Sequence, residues 1–319
     1  MVETRVDRRV EAEAVQRSDA FNSGLSRRAT LVWLGFVVVA LASLDLVDLP
    51  VWGVVVPSAA VLLWAVLPWA RVAGRAVPDR ADLALVGVLY VLVVGAFWLA
   101  FEVFTTDRVA GLFLAFAAGM VLGVVGPLVW VVWRRGEPMA ALGLTTGRWR
   151  STVVFGVVLA ALQFAMTLWG YDLPEPVDWI PLLVMSLVVG LFEAVFFRGF
   201  IQGRLEASFG AGPAVLGAAA LYSLYHVGYG MGADEMVFLF GLGVVYAIAF
   251  RLVVNVLVLW PLLTPLGAFY NNVDAGDIEL PWASIAGFAD VAVVMVATIW
   301  ITHRRHRHKT IVHSEQGNS

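Results

Sequence analysis

Two residues in the apolar middle of the chain have side chains that could act together on a water molecule. Glu193 lies in the otherwise apolar stretch 187–197, and His226 is the only histidine outside the C-terminal tail. A buried carboxylate beside an imidazole can hold a water, because each group favours the charged form of the other while burial opposes it. Such a pair can serve as general base and later as general acid. The alternative is a Glu–His hydrogen bond that only joins two helices.

The spacing of these residues predicts that they meet within one helical hairpin. Residues 210–213, Gly-Ala-Gly-Pro, have the glycine and proline content that is typical of a turn between two helices. Glu193 precedes Ala211 by 18 residues and His226 follows it by 15, which places them about 27 and 22 Å from the tip. Both should lie at a similar depth inside the bundle. Arg198 is five residues after Glu193, too far round an α-helix for an ideal pair, so we expect it to contact a neighbouring helix or loop.

The composition indicates that a membrane surrounds this hairpin. Of the 319 residues, 61% are apolar and 14% are charged, and the mean hydropathy is +0.84. A soluble domain carries roughly 25% charged residues. These values exclude a soluble enzyme, a disordered protein and a disulfide-rich secreted domain. The absence of cysteine from the sequence excludes a thiolate zinc site, a thiolate-held iron–sulfur cluster and a cysteine nucleophile.

The predicted fold is an all-α, polytopic transmembrane helix bundle of about ten spans. The candidate spans are about 30–49, 51–70, 83–104, 109–133, 152–169, 180–200, 213–229, 235–250, 252–270 and 283–302. Eight spans is the alternative, if short segments are re-entrant. Arginine is concentrated in alternate connections and in the tail, and acidic residues in the opposite set. The positive-inside rule then predicts a multi-pass protein of the cell membrane with both termini cytoplasmic.

Charges within the predicted spans have ordinary roles as well as functional ones. Asp290 lies deep in the last span, where either packing or function could retain it. Arg251 sits at an inner turn and is predicted to be an interfacial anchor. The tail segment 303–309 could bind metal, but its run of basic residues favours an anchor on anionic lipid.

Two motifs carry a resemblance to a known family. Glu193-Ala-Val-Phe-Phe-Arg198-Gly resembles the first motif, E-E-x-x-x-R, of the CPBP intramembrane proteases, which include the type II CAAX prenyl endopeptidases and the Abi immunity proteins. Tyr222-Ser-Leu-Tyr-His226 is similar to the second motif, F-x-x-x-H, with Tyr in place of Phe. The resemblance covers about residues 150–272.

The resemblance implies a glutamate-dependent endopeptidase acting in or near the membrane. Glu193 falls on the base that activates water, His226 on the residue that shares this water, and Arg198 on the arginine that orders the site. The related CAAX enzymes remove a C-terminal tripeptide from prenylated proteins. A lipid bilayer and a peptide or lipidated protein substrate are therefore the expected partners, with no nucleic acid and no cofactor.

Two departures from the family pattern bear on activity. The second Glu of the first motif is Ala194, and no histidine is available for the third motif, H-x-x-x-N, which helps to hold the scissile carbonyl. One placement of that motif is Arg251-Leu-Val-Val-Asn255, and the other lies near residues 260–264 with Asn271 and Asn272 beyond. Asn255 could donate to an oxyanion or could form an interhelical hydrogen bond.

The predicted function is an intramembrane glutamate-dependent endopeptidase that cleaves membrane-associated substrates. Its catalytic candidates are Glu193, His226, Arg198 and Asn255; no metal site is expected, because zinc catalysis normally needs three protein ligands. The alternatives are an inactive relative that acts as a scaffold or immunity factor and a transporter. The predicted regions are a cytoplasmic arm (1–29), N-terminal helices (30–149), the CPBP-like core (150–272), a last loop and span (273–302) and a basic tail (303–319).

Overall fold

The described part of the chain is built from helices. A computed structural model describes residues 79–106, 108–144, 150, 153–154, 156–158, 160–161, 175, 179–253, 255–264 and 282–316, and within them there is no strand. The helices are α1 (Arg80–Val103), α2 (Val109–Arg134), α3 (Trp179–Phe209), α4 (Ala211–Leu224), α5 (Ala233–Val253), α6 (Val256–Thr264) and α7 (Trp282–Gln316). Two short 3-10 segments are Met139–Leu142 and Tyr225–Tyr229. The all-α prediction is confirmed for these residues.

Four of the helices are long and apolar enough to cross a membrane. They are α1, α2, α3 and the part of α7 over Ser284–Arg305, and they coincide with four predicted spans. Helices α4 to α6 overlap three more predicted spans. The arm 1–29, the spans 30–49 and 51–70, and most of 152–169 and of the loop 265–281 lie outside the described residues. The total of about ten spans therefore stays a prediction.

Three of the long helices contain π-helical segments. In α3 this segment covers Ala194–Gln202 and begins directly after Glu193. A π-helix bonds residues five apart rather than four, and such segments are frequent at functional sites. The wider turn brings a residue five positions after Glu193 back towards the same face. The guanidinium of Arg198 nevertheless forms no hydrogen bond with Glu193, in agreement with the expectation that the two residues are not an ideal pair.

The N-terminus of α1 is capped by a carboxylate that also reaches α2. The Oδ1 of Asp79 accepts a hydrogen bond of 2.8 Å from the Ala81 N–H, and its Oδ2 lies 2.6 Å from the Arg135 guanidinium. The Ala81 N–H, and then Arg135, hold the pKa of the Asp79 carboxyl below its ordinary value. This cap satisfies one of the free N–H groups that begin a helix.

A charge network joins the start of α1 to the C-terminal ends of α2 and α3. Arg204 donates to Glu137 through both terminal nitrogens, at 2.9 and 2.8 Å, and to Asp82 at 3.0 Å. The other oxygen of Asp82 accepts from the Trp130 indole at 2.7 Å and lies 3.5 Å from Arg135. Every member of this network has an oppositely charged or hydrogen-bonding partner, so it fixes the end of α3.

The hairpin of α3 and α4 closes on a single glycine. Gly210 has φ +80° and separates Phe209, the last residue of α3, from Ala211, the first of α4. The helices are thus separated by one residue rather than by the four predicted residues, 210–213. Pro213 lies inside α4, because the first turn of a helix tolerates proline. Counted from Gly210, Glu193 is 17 residues away on one arm and His226 is 16 away on the other.

Close backbone approaches hold the hairpin against its surroundings. A Cβ at Gly199 would lie 2.5 Å from the Leu142 carbonyl oxygen, and a Cβ at Gly243 would lie 3.0 Å from the Tyr222 ring. Small residues let helices approach in this way. Helix α3 also packs against α6 and α7, so the residues after Glu193 are enclosed on several sides.

Candidate functional site

Glu193 lies inside the bundle with its carboxylate held by two phenols. It is 2% exposed. The Tyr225 hydroxyl donates to its Oε1, and the Tyr222 hydroxyl donates to its Oε2 at 3.4 Å. The two tyrosines come from the end of α4 and the start of the following 3-10 segment, one helical turn apart. Each carboxylate oxygen therefore has a donor that is supplied by the hairpin partner.

His226 lies beside the same two tyrosines and is 7% exposed. Its Nδ1 lies 2.9 Å from the Tyr222 carbonyl oxygen. Since a carbonyl can only accept, Nδ1 carries the proton, and Nε2 of the neutral ring presents a lone pair. The ring centroid is 4.0 Å from that of Tyr225 and 5.2 Å from that of Tyr222. Nε2 is thus the nitrogen that could accept a proton from water.

Glu193 and His226 are neighbours through Tyr222 and Tyr225 rather than through a direct bond. Within the described part of the chain the two side chains do not hydrogen-bond to each other. Further aromatic rings pack around this group: Phe97, Phe192 and Phe197 contact Tyr225, and Tyr229 contacts both Tyr225 and His226. The site is a small polar cluster within an aromatic shell, at the depth that the spacing predicted.

Arg198 is the most unusual member of the cluster. It is 0% exposed, and its Nε and both terminal nitrogens have no hydrogen-bond partner among the described residues. Its Cζ lies 4.8 Å from the centroid of the Tyr222 ring. The predicted contact with a neighbouring helix is therefore present, as a cation–π contact with α4.

The candidates for the third motif lie apart from this cluster. Asn255 is half-buried and precedes α6, where its Oδ1 accepts a hydrogen bond of 2.9 Å from the Leu257 N–H. It acts there as a helix cap. The Trp260 indole, which belongs to the other placement, donates to the Leu187 carbonyl at 2.8 Å. Among the described residues, Asn255 forms no hydrogen bond with Glu193 or His226.

Arg251 is not the interfacial anchor that its position near an inner turn predicted. It is buried, 4% exposed, and forms an ion pair with Glu206 of α3. Glu206 lies 13 residues beyond Glu193, about 20 Å further along the helix. Pairing with this carboxylate explains the burial and places Arg251 away from the Glu193–His226 cluster.

Two further predictions concern Asp290 and metal. Asp290 is exposed on α7, so the chain itself does not enclose it. Among the residues that the structure describes, no three His, Cys, Asp or Glu side chains are arranged to hold a metal ion.

The sequence reasoning missed Tyr225 as a partner of Glu193. A helix places residues three apart on one face, so Tyr225 shares the Tyr222 face of α4. The three-residue spacing from Tyr222, a residue of the second motif, could have identified Tyr225. The Glu206–Arg251 pair had no such signal, because it joins residues 45 positions apart on two helices.

Comparison with known proteins agrees with the two motifs. The family model described as "Type II CAAX prenyl endopeptidase Rce1-like" matches residues 174–262, which include Glu193, Arg198, His226 and Asn255. No curated protein and no solved structure matches the chain. The resemblance found in the motifs is thereby confirmed: residues 174–262 of this membrane protein carry the signature of the Rce1-like type II CAAX prenyl endopeptidases.

Proposed function

We propose that this protein is an intramembrane endopeptidase in which Glu193 activates the attacking water. One observation carries the proposal. A buried carboxylate on α3 and the imidazole of His226, in the 3-10 segment that follows α4, contact the same two tyrosines. The match over residues 174–262 supports peptide-bond hydrolysis as the chemistry.

The proposed reaction uses the two groups in sequence. Glu193 removes a proton from a water that also hydrogen-bonds to Nε2 of His226, and the resulting hydroxide attacks the scissile carbonyl carbon. The tetrahedral intermediate then collapses, and protonated Glu193 returns its proton to the departing amine. A carboxylate in apolar surroundings suits this exchange. Burial disfavours its charged form, and this makes it easier for the group to take a proton from water.

The other predicted site residues have supporting roles in this proposal. Arg198 provides positive charge one π-turn from Glu193. Asn255 could donate to an oxyanion through its amide N–H₂ while its Oδ1 caps α6. It is the weakest of the four candidates, because among the described residues no hydrogen bond joins it to Glu193 or His226.

The proposed substrate is a membrane-associated or lipidated peptide, and the proposed setting is the cell membrane with both termini in the cytoplasm. In the sequence, arginine is concentrated in alternate connections and in the tail. By the positive-inside rule this pattern supports the cytoplasmic assignment of both termini.

The direct test is cleavage of a farnesylated, fluorogenic peptide by the purified protein in proteoliposomes. We expect Glu193→Gln and His226→Ala to lower turnover by about 10²–10⁴-fold. Glu175→Gln is the matched control, because Glu175 is an exposed carboxylate before α3. Turnover that is unchanged in both site variants would refute the proposal.

A second candidate is a catalytically inactive relative that acts as a membrane scaffold or immunity factor. It is favoured by the phenol donors on both oxygens of Glu193 and by Ala194 in place of the second motif carboxylate. Any peptide turnover that depends on Glu193 would exclude this candidate.

A further inference from the structure

Helices α2 and α7 lie side by side and run in the same direction. The rings of Phe116 and Phe288 are in edge-to-face contact, with centroids 5.1 Å apart. Seventeen residues further along each helix, the Cζ of Arg305 lies 5.7 Å from the centroid of the Trp133 ring. Seventeen helical residues rise about 26 Å, close to the thickness of the apolar core of a bilayer, about 30 Å. Both spans end within one residue of this second contact, which therefore marks one face of the membrane.

At this end, α2 and α7 present tryptophan and arginine side chains together. Trp133 and Trp300 are each more than half exposed. Arg305 lies over the Trp133 ring. Arg304 lies over the Trp300 ring, with its Cζ 3.8 Å from the centroid. Arg134 follows Trp133 directly, and all three arginines are exposed. These five residues form the Trp–Arg cluster.

The arginines of the Trp–Arg cluster form no ion pair with the residues that the structure describes. The ion pairs within that part of the chain involve other arginines; Arg135, which follows Arg134, is held by Asp79 at 2.6 Å. A cation–π contact uses the flat face of a guanidinium, whereas its N–H groups point outward in the plane of the group. Arg304 and Arg305 can therefore stack on tryptophan and donate hydrogen bonds to an anion at the same time.

We propose that the Trp–Arg cluster binds the headgroup phosphate of an anionic phospholipid. The exposed tryptophan rings at the end of two spans suit a ligand with an apolar part, and the arginines suit an anionic part. An anionic phospholipid has both parts, whereas an acidic segment of a soluble protein has only the second. A guanidinium binds a phosphate through two parallel hydrogen bonds, and basic pockets between spanning helices bind lipid headgroups in this way. The proposal rests on α2 and α7 alone and does not depend on the proposed function.

The continuation of α7 provides a way to separate a defined site from general attraction to the membrane surface. The helix extends past the end of its span at Arg305 to Gln316, and its sequence there includes Arg307 and Lys309. A basic anchor without a site would use all of these charges alike. A site between α2 and α7 depends on Arg305 and Trp133 more than on Lys309.

The test is native mass spectrometry of the purified protein with single lipids of one acyl composition. We expect the wild-type protein to bind phosphatidylglycerol at least about 10-fold more tightly than zwitterionic phosphatidylcholine, because several arginines each favour the anionic headgroup. Arg305→Gln and Arg134→Gln should each weaken the binding of phosphatidylglycerol by about 5-fold and leave that of phosphatidylcholine unchanged. Trp133→Leu keeps every charge and should still weaken it by about 2- to 5-fold, because Arg305 is no longer held.

Two variants serve as controls with the same loss of charge. Arg108→Gln changes an exposed arginine before the opposite end of α2, and Lys309→Gln changes a charge beyond the span of α7. Both should leave the binding of phosphatidylglycerol within about 2-fold of the wild-type value, because neither residue belongs to the Trp–Arg cluster.

Equal binding of the two lipids by the wild-type protein would overturn the proposal, and this comparison needs no variant. Equal losses in Arg305→Gln and Lys309→Gln would also overturn it, because binding would then follow net charge rather than the cluster. Tighter binding of a water-soluble, Asp- and Glu-rich peptide than of phosphatidylglycerol would be a third contrary result, and it would assign the cluster to an acidic protein partner.

Discussion

Two buried arginines on α3 lie six residues apart and have opposite surroundings. Arg204 donates to Glu137 and Asp82 through three hydrogen bonds. Arg198 has none to the described residues and lies over the ring of Tyr222. The C-terminal end of α3 is therefore held by ion pairs within the fold, whereas the π segment after Glu193 contains a buried guanidinium with no hydrogen bond to the described residues.

The same contrast separates the two buried carboxylates of α3. Glu206 is paired with Arg251, while Glu193 accepts only neutral phenol donors. The neutral donors leave the Glu193 carboxylate without a cationic hydrogen-bond partner, whereas the Glu206 carboxylate is held in its ion pair with Arg251.

The largest expected effect on the fold is at Arg204. Arg204→Met should lower the free energy of unfolding by about 3–5 kcal/mol, because it leaves Asp82 and Glu137 as buried unpaired charges. Arg198→Met should cost less than this, since no hydrogen bond is lost. Unfolding in mixed micelles measures both. If Arg198→Met lowered the free energy of unfolding more than Arg204→Met, Arg198 would be the more important of the two for stability, and the contrast between them would be wrong.

The second prediction concerns His226, which lies beside the same two tyrosines as Glu193. His226→Ala should lower turnover per folded molecule by about 10²–10⁴-fold, because Nε2 no longer holds the water. The control is His303→Ala, in the basic extension of α7. Equal turnover by the two variants would remove His226 from the mechanism.

Tyr222 should have the smallest effect on turnover. Tyr222→Phe restores the aromatic residue of the second motif and removes a hydrogen bond of 3.4 Å, which is long for an O–H donor. We expect a change in turnover of less than about 10-fold, with a loss of stability of about 1 kcal/mol. Tyr90→Phe is the matched control, since its hydroxyl donates to the Leu221 carbonyl at 3.0 Å. A complete loss of activity in Tyr222→Phe alone would assign this phenol a catalytic role.

Much of this architecture could be predicted from the sequence. Apolar runs of helical length predicted the four spans that the structure describes. The distances of Glu193 and His226 from one Gly/Pro turn predicted their common depth. Both predictions succeed because helix rise and bilayer thickness are nearly constant.

The remaining features depend on geometry that the sequence does not display. The π segment from Ala194 to Gln202 changes which residues of α3 share a face. Within it, Gly199 lies against the Leu142 carbonyl. The pairing of Arg251 with Glu206 depends on how α5 meets α3, so charge position alone misassigns Arg251.

The most direct test of the central claim compares Glu193→Gln with Glu206→Gln in one proteoliposome cleavage assay, normalised to folded protein. Both changes replace a buried carboxylate of α3 by its neutral isostere. We predict that Glu193→Gln lowers turnover by about 10²–10⁴-fold while Glu206→Gln affects stability and leaves turnover within about 3-fold, because only Glu193 lacks an ion-pair partner. Wild-type turnover in Glu193→Gln, or an equal loss in both variants, would contradict the account.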